Sequence, residues 1–117
     1  MSLTKGRQFQ LWEYHVSHGS LLIRSPGGPD VGTSVDVIFV GVEYLAAPRH
    51  LGEIIISQAT QTDAEGLEKI LQKQIMPSRV WLIESSSGRF LLVAAGMKVQ
   101  EHHGDIFDSP FARSMRS

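Results

Sequence analysis

The feature that most constrains the fold is a series of short apolar runs, each ended by residues that favour turns. Aromatic and β-branched residues recur in these runs at a period of two, which predicts β-strands. The predicted strands cover residues 8–16, 21–24, 35–45, 52–58, 79–84 and 89–101. Serine and glycine at residues 17–20 and 85–88 favour tight hairpins between neighbouring strands. Because hairpins join antiparallel strands, the sequence predicts a largely antiparallel sheet.

One segment has helical rather than strand periodicity. Thr62 is followed three residues later by Glu65, the spacing of a capping box, in which each side chain accepts a hydrogen bond from the other residue's amide. Apolar residues then recur at helical spacing and predict one buried stripe. The members of that stripe are Leu67, Ile70, Leu71 and Ile75. Pro77 is expected to end the helix, because the residue before a proline avoids α geometry. A short second helix is predicted over residues 111–115, after a Ser-Pro pair.

These elements predict an α+β fold. We expect a curved, largely antiparallel sheet of about six strands, with one amphipathic helix between strands 4 and 5 and a short C-terminal helix. A chain of 117 residues is long enough for one domain, which we place at residues 8–117. Residues 1–7 are interpreted as a flexible N-terminus whose first residues resemble an expression remnant.

Two of the predicted strands are apolar on both faces. Residues 35–42 and residues 90–97 carry apolar side chains at odd and even positions alike, which is typical of strands covered on both sides. A single helix of about three turns covers only one face of such a sheet. We therefore expect the second face to be covered by sheet curvature, by the C-terminal segment or by another subunit, and the sequence favours a homodimer.

Composition argues against several classes of protein. The 11 basic and 12 acidic residues give a formal net charge of -1, so neither nucleic acid nor an anionic membrane is an expected partner. The longest apolar run, residues 90–97, is far shorter than the roughly 20 residues of a membrane-spanning helix. The absence of cysteine excludes disulfides, thiolate nucleophiles and cysteine-ligated metals. No apolar stretch typical of a secretory signal follows the first residues, so the expected protein is soluble and cytoplasmic.

The densest group of ligand-type side chains lies near the C-terminus. Imidazole and carboxylate groups suit a divalent metal ion, and Glu101 and His103 are two residues apart, on one face of a strand. Asp105 and Asp108 follow, but nothing in the sequence directs them toward the same point. A zinc site needs three or four converging protein ligands. We therefore predict no metal site and no cofactor, and we keep Glu101, His103 and Asp105 as binding candidates.

A second set of candidates consists of aromatic residues and one carboxylate within the apolar strands. Trp12, Tyr14, Tyr44 and Trp81 combine an apolar body with a polar tip, which suits a ligand pocket, a subunit surface or the core equally well. Glu43 interrupts an apolar strand, and burial there would disfavour the charged form of its carboxylate, as in general acids. Its position near the end of that strand favours contact with water instead.

No arrangement of residues in the sequence amounts to a catalytic site. There is no Gly-x-Ser-x-Gly nucleophile motif and no glycine-rich phosphate-binding motif. The sequence favours a non-enzymatic binding or interaction domain that self-associates through its sheet, with room for a further protein or small-molecule partner. Two alternatives stay open: a regulatory or immunity-type partner of another protein, and a small enzyme with an acid/base or metal site at the end of the last strand.

Overall fold

A computed structural model describes residues 6–27 and 33–102 of the chain. Within those residues the chain forms nine strands, one α-helix and two short 3-10 helices. The strands are β1 Phe9–His15, β2 Ser20–Ser25, β3 Ser34–Val40, β4 Tyr44–Leu45, β5 His50–Gly52, β6 Ile54–Gln58, β7 Val80–Ser85, β8 Gly88–Val93 and β9 Gly96–His102. The helix α1 is Gln61–Leu71, and the 3-10 helices are Val16–His18 and Pro77–Arg79. The helix predicted over residues 111–115 lies outside the described residues.

The strands form two sheets in which every observed pair is antiparallel. One sheet has the order β5-β1-β2-β3-β9, and the other has the order β4-β8-β7-β6. The hairpins predicted around residues 17–20 and 85–88 join β1 to β2 and β7 to β8. The α+β class and the antiparallel pairing are therefore confirmed. The prediction of a single sheet of about six strands is corrected, because the described residues divide into two sheets.

The extra strands arise where the chain bends from one sheet into the other. The predicted strands over residues 35–45 and 89–101 both contain such a bend. Gly41, between β3 and β4, adopts a φ of 63°, and a Cβ at this position would lie 2.8 Å from the Cβ of Ala95. The bend therefore leaves no room for a larger residue. The Ala95 amide donates to the Val40 carbonyl at 2.8 Å, so the two chain segments stay hydrogen-bonded through the bend.

The two sheets pack against each other around the main core. That core includes Leu21, Ile23, Val35, Val37 and Phe39 from the first sheet and Ile54, Ile83 and Leu92 from the second. On the opposite face of β3, Ile38 is 3% exposed and packs with Leu22 and Trp12. Both faces of β3 are therefore buried within one chain up to Phe39, and only Val40 at the end of the strand is exposed. This burial explains the two-sided apolar pattern of residues 35–42 without a second subunit.

The helix begins earlier than the sequence predicted, and the expected Thr62–Glu65 capping box is wrong. The N-cap is Thr60, whose hydroxyl accepts from the Asp63 amide at 3.2 Å, while the Thr60 amide donates to the Asp63 carboxylate at 3.1 Å. Arg89 of β8 also donates to Asp63, at 2.7 Å. The tertiary contact and the cap thus use the same carboxylate, which sets the position of the helix start.

The buried face of α1 is narrower than predicted. The cluster beneath it comprises Ala64, Leu67, Ile75, Val80 and Val93. Ile70 was expected in the buried stripe, but it is 65% exposed. The helix ends at Leu71, where Gln72 adopts a left-handed φ of 55°, so Pro77 does not end it as predicted. Ile75 joins the cluster from the loop that follows. No helix in the described part of the chain is long and apolar enough to cross a membrane.

Candidate interaction surface

Strand β6 lies at the open edge of the four-stranded sheet. It is last in the order β4-β8-β7-β6, and within the described residues it pairs only with β7. Its first three residues, Ile54-Ile55-Ile56, are β-branched, which favours an extended backbone. Strand β5 belongs to the other sheet, and only Glu53 separates it from β6. The chain therefore passes from one sheet to the other just before this edge begins.

The backbone of β6 carries hydrogen-bonding groups that point away from β7. In an antiparallel pair, hydrogen-bonded and non-hydrogen-bonded residue pairs alternate. The Ala59 amide donates to the Val80 carbonyl at 2.9 Å, so these two residues form a hydrogen-bonded pair. Counting back along the register of β6 and β7, Ile54, Ile56 and Gln58 lie in non-hydrogen-bonded pairs. The N–H and C=O groups of Ile54, Ile56 and Gln58 therefore point outward. Ile54 as a whole is only 2% exposed, so an added strand would find its hydrogen-bond partners at Ile56 and Gln58.

The side chains of β6 also suit association. Ile54 is 2% exposed and belongs to the main core, so it anchors the strand to the body of the protein. Ile55 points to the other face and is 62% exposed, and Ser57 beside it is exposed as well. Edge strands are commonly protected from pairing by charged residues or by proline. Residues 54–58 contain neither.

The other sheet edges are shorter or charged. Strand β4 has two residues and β5 has three. Strand β9 has seven residues but carries Lys98 and Glu101, and Glu101 accepts a hydrogen bond from the Thr33 hydroxyl at 2.8 Å. Over residues 6–27 and 33–102, β6 is therefore the longest sheet edge without charge.

The structure separates the four aromatic candidates. Trp81 faces the main core, where its ring meets Phe39 edge to face at a centroid distance of 5.8 Å. Tyr44 packs with the cluster beneath α1. Trp12 packs on the outer face of the five-stranded sheet, and Tyr14 is 43% exposed. The four side chains thus lie in different surroundings and do not line one pocket.

Glu43 lies between β3 and β4, with its side chain 40% exposed. Its carboxylate contacts the Lys73 ammonium at 2.7 Å and the Arg79 guanidinium at 3.3 Å. The hydrogen bond and charge of Lys73, followed by the charge of Arg79, lower the pKa of the Glu43 carboxyl from its usual value. A carboxyl held in its charged form is a poor general acid at neutral pH, so Glu43 acts here as an ion-pair partner.

Of the three C-terminal candidates, only Glu101 is described. It lies on β9, is exposed and is held by the Thr33 hydroxyl. His103 and Asp105 lie outside the described residues. Among the residues that the structure describes, no group of three or more histidine, aspartate or glutamate side chains is placed to hold a metal ion.

Two features were missed by reasoning from the sequence. One is the buried ion pair between Arg24 and Asp36, which are both 0% exposed. The sequence does show one basic residue in the first apolar run and one acidic residue in the second. Only the strand register shows that these two residues lie opposite each other. The other is the open edge at residues 54–58. The signal there was the absence of charge and proline from a strand rich in isoleucine.

Comparison with known proteins found no relative of this chain. No family model matches it, and no curated protein and no solved structure is significantly similar to it. The described residues themselves are therefore the basis for assigning a function.

Proposed function

We propose that this chain is a non-enzymatic interaction domain that forms a homodimer through the open edge of β6. The observation that carries the proposal is the outward direction of the backbone groups of Ile56 and Gln58, on a strand without charge or proline. A strand added at this edge gives affinity through main-chain hydrogen bonds. It would also remove part of Ile55 from water, where that side chain is now 62% exposed.

Pairing through this edge is favoured over pairing through a sheet face. The sequence argument for a face relied on strands with two apolar sides, such as residues 35–42. In the structure, alternate residues of β3 are buried in the main core, and Ile38 on the opposite side is 3% exposed. The apolar surface of β3 that is left for a second copy is therefore Val40, at the end of the strand, which is 45% exposed. The edge of β6 still has backbone groups that association would satisfy.

The electrostatics of two carboxylates argue against a general acid built on either of them. Lys73 and Arg79 lower the pKa of the Glu43 carboxyl, and Arg89 lowers that of Asp63. General acid catalysis at neutral pH needs a carboxyl whose pKa is raised instead. These carboxylates thus have the environment of ion pairs that hold the fold together.

Sedimentation velocity over a range of concentrations tests the proposal. A strand of five residues forms an interface at the low end of the usual size range, so we expect association in the micromolar range. The sedimentation coefficient should rise with concentration, from that of a 12.9 kDa monomer toward that of the dimer. A sedimentation coefficient that stays at the monomer value up to hundreds of micromolar would overturn the proposal.

A charged variant of the edge shows whether β6 is the surface involved. Ile55→Lys/Ser57→Lys places two ammonium groups on the exposed side of β6, and we expect it to stay monomeric, because lysine on an edge opposes strand pairing. The matched control is Ile70→Lys/Gln74→Lys, which adds the same charge at exposed positions. Lys73 contacts Glu43 at 2.7 Å, so the control substitutions lie near β4, at the other edge of the sheet. Equal loss of association in both variants would place the interface elsewhere.

A further inference from the structure

The outer face of the five-stranded sheet, on the side away from the main core, is almost completely buried at its centre. Leu22 and Arg24 of β2 lie beside Ile38 and Asp36 of β3 on this face. Leu22, Arg24 and Asp36 are 0% exposed, and Ile38 is 3% exposed. Side chains at the centre of a sheet face reach such burial when another part of the protein packs over them. This face is therefore covered.

The described side chains account for part of that cover. Among residues 6–27 and 33–102, Trp12 is the hydrophobic side chain that packs on this face, and its ring lies over the Arg24 guanidinium at 5.5 Å. The four buried side chains extend over two strands about 4.8 Å apart and over two rows about 6.8 Å apart, which is more than one indole ring covers. Lys98 of β9 lies beside Ile38 in the register and is itself exposed. Helix α1 packs on the four-stranded sheet instead.

We propose that residues 103–117, which follow β9 directly, supply the rest of the cover. Strand β9 is the neighbour of β3, and its last residue, His102, lies opposite Ser34, close to Asp36. A segment of this length spans up to about 50 Å when extended. The distance across the face, from β9 to β1, is about 14 Å, or three strand spacings. The segment therefore begins beside the face and is long enough to cross it.

The composition of residues 103–117 suits an apolar surface. Its large apolar side chains are Ile106, Phe107, Phe111 and Met115. Phe111 and Met115 are four residues apart and share one side of the helix predicted over residues 111–115. Gly104 precedes all of them and permits the turn that a chain leaving an edge strand needs in order to run back over the sheet.

The two other stretches outside the described residues suit this role less well. Residues 28–32 join β2 to β3 at the end of the face where the Gly27 amide donates to the Ser34 hydroxyl at 2.9 Å. A loop of this length, held at both ends, reaches about 10 Å, whereas Ile38 lies about 14 Å along β3 from Ser34. Residues 1–5 precede Gly6, whose amide donates to Glu53 at 2.6 Å, next to β5 at the opposite edge of the sheet from β9.

Cysteine alkylation in the full chain tests the proposal, because the natural chain contains no cysteine. Ile38→Cys places a thiol on the outer face, and Val37→Cys places one on the core side of the same strand. Both should react slowly with iodoacetamide, because a thiol buried among apolar groups is inert. Adding Phe107→Ser/Phe111→Ser should speed alkylation of Ile38→Cys by roughly tenfold, because it opens the cover locally. The rate for Val37→Cys should stay unchanged.

Control substitutions in the two other stretches, Leu3→Ser and Val31→Ser, should leave both rates unchanged. Faster alkylation of Ile38→Cys with either control, but not with the phenylalanine variant, would place the cover in that stretch and overturn the proposal. Fast alkylation of Ile38→Cys in the otherwise natural chain, or a rate that the phenylalanine variant does not change, would also overturn it. Equal acceleration of Val37→Cys would overturn it as well, because these phenylalanines would then stabilise the whole fold. The proposal does not rest on association through β6, which belongs to the other sheet and is tested by sedimentation.

Discussion

The guanidinium of Arg24 meets the carboxylate of Asp36 directly across β2 and β3. Its Nε lies 2.6 Å from Oδ1 and its Nη2 lies 2.9 Å from Oδ2, and both side chains are 0% exposed. Trp12 lies over the guanidinium at 5.5 Å. A shift of one residue in register would place one of the two charges on the opposite face of the sheet, which faces the main core. The pair therefore specifies how β2 aligns with β3.

This ion pair predicts an unequal response to single and double substitution. Asp36→Ala should lower the free energy of unfolding by about 3–5 kcal/mol, because it removes the carboxylate that pairs with the buried Arg24 guanidinium. Arg24→Met/Asp36→Leu removes both charges and keeps apolar volume, so we expect it to lose less than the single variant. Urea unfolding followed by circular dichroism measures both. A double variant less stable than Asp36→Ala would contradict the expected cost of removing the carboxylate alone.

The N-cap of α1 gives a prediction that distinguishes two nearby threonines. Thr60→Ala should lower the free energy of unfolding by about 1 kcal/mol, because the Asp63 amide loses the hydroxyl that accepts its hydrogen bond. Thr62→Ala is the matched control. Thr62 is exposed in the first turn, so its substitution should change stability by less than about 0.5 kcal/mol. Urea unfolding measures both variants. If Thr62→Ala lowered the free energy of unfolding more than Thr60→Ala, the N-cap would be Thr62 instead.

The elements that depend on neighbours in sequence were predictable. Period-two alternation located the β1–β2 and β7–β8 hairpins, because strand and turn propensities act over a few residues. The helix was also found, but its start was placed at Thr62 rather than Thr60. Two overlapping pairs, Thr60 with Asp63 and Thr62 with Glu65, have capping spacing. The contact from a distant arginine on β8 favours the first of them.

The parts set by distant contacts were not predictable. The bend at Gly41 depends on the close approach of Ala95, which is far away in sequence. The ion pair of Arg24 with Asp36 depends on a register that alternation alone does not reveal. The open edge at residues 54–58 depends on the order of all strands in its sheet. In each case the contacting residue or strand is far away in the sequence, whereas periodicity and turn propensity depend on only a few neighbouring residues.

Gly66 provides a test of the helix interior. It lies in α1 with a right-handed backbone and is exposed, and a Cβ added there would meet nothing within 4 Å. Gly66→Ala should therefore raise the free energy of unfolding by about 0.5–1 kcal/mol. The contrasting control is Gly41→Ala, which should lower it, because Gly41 has a φ of 63° and faces Ala95 at 2.8 Å. Thermal unfolding that ranked the two variants in the opposite order would contradict this backbone geometry.

The last prediction concerns acid stability. The hydrogen bond from Arg89, with those from Thr60, lowers the pKa of the Asp63 carboxyl from 3.8 to about 2. A group whose pKa is lower in the folded state contributes stability above its unfolded pKa and loses it as the pH falls through its folded pKa. Between about pH 4 and pH 2, the free energy of unfolding should therefore fall further for the natural protein than for Asp63→Asn. We expect the difference to be about 1 kcal/mol, because the partner Arg89 is half-exposed and water screens the pair. Urea unfolding of both proteins at a series of pH values measures it, and parallel curves would show that Asp63 titrates as it does in the unfolded chain.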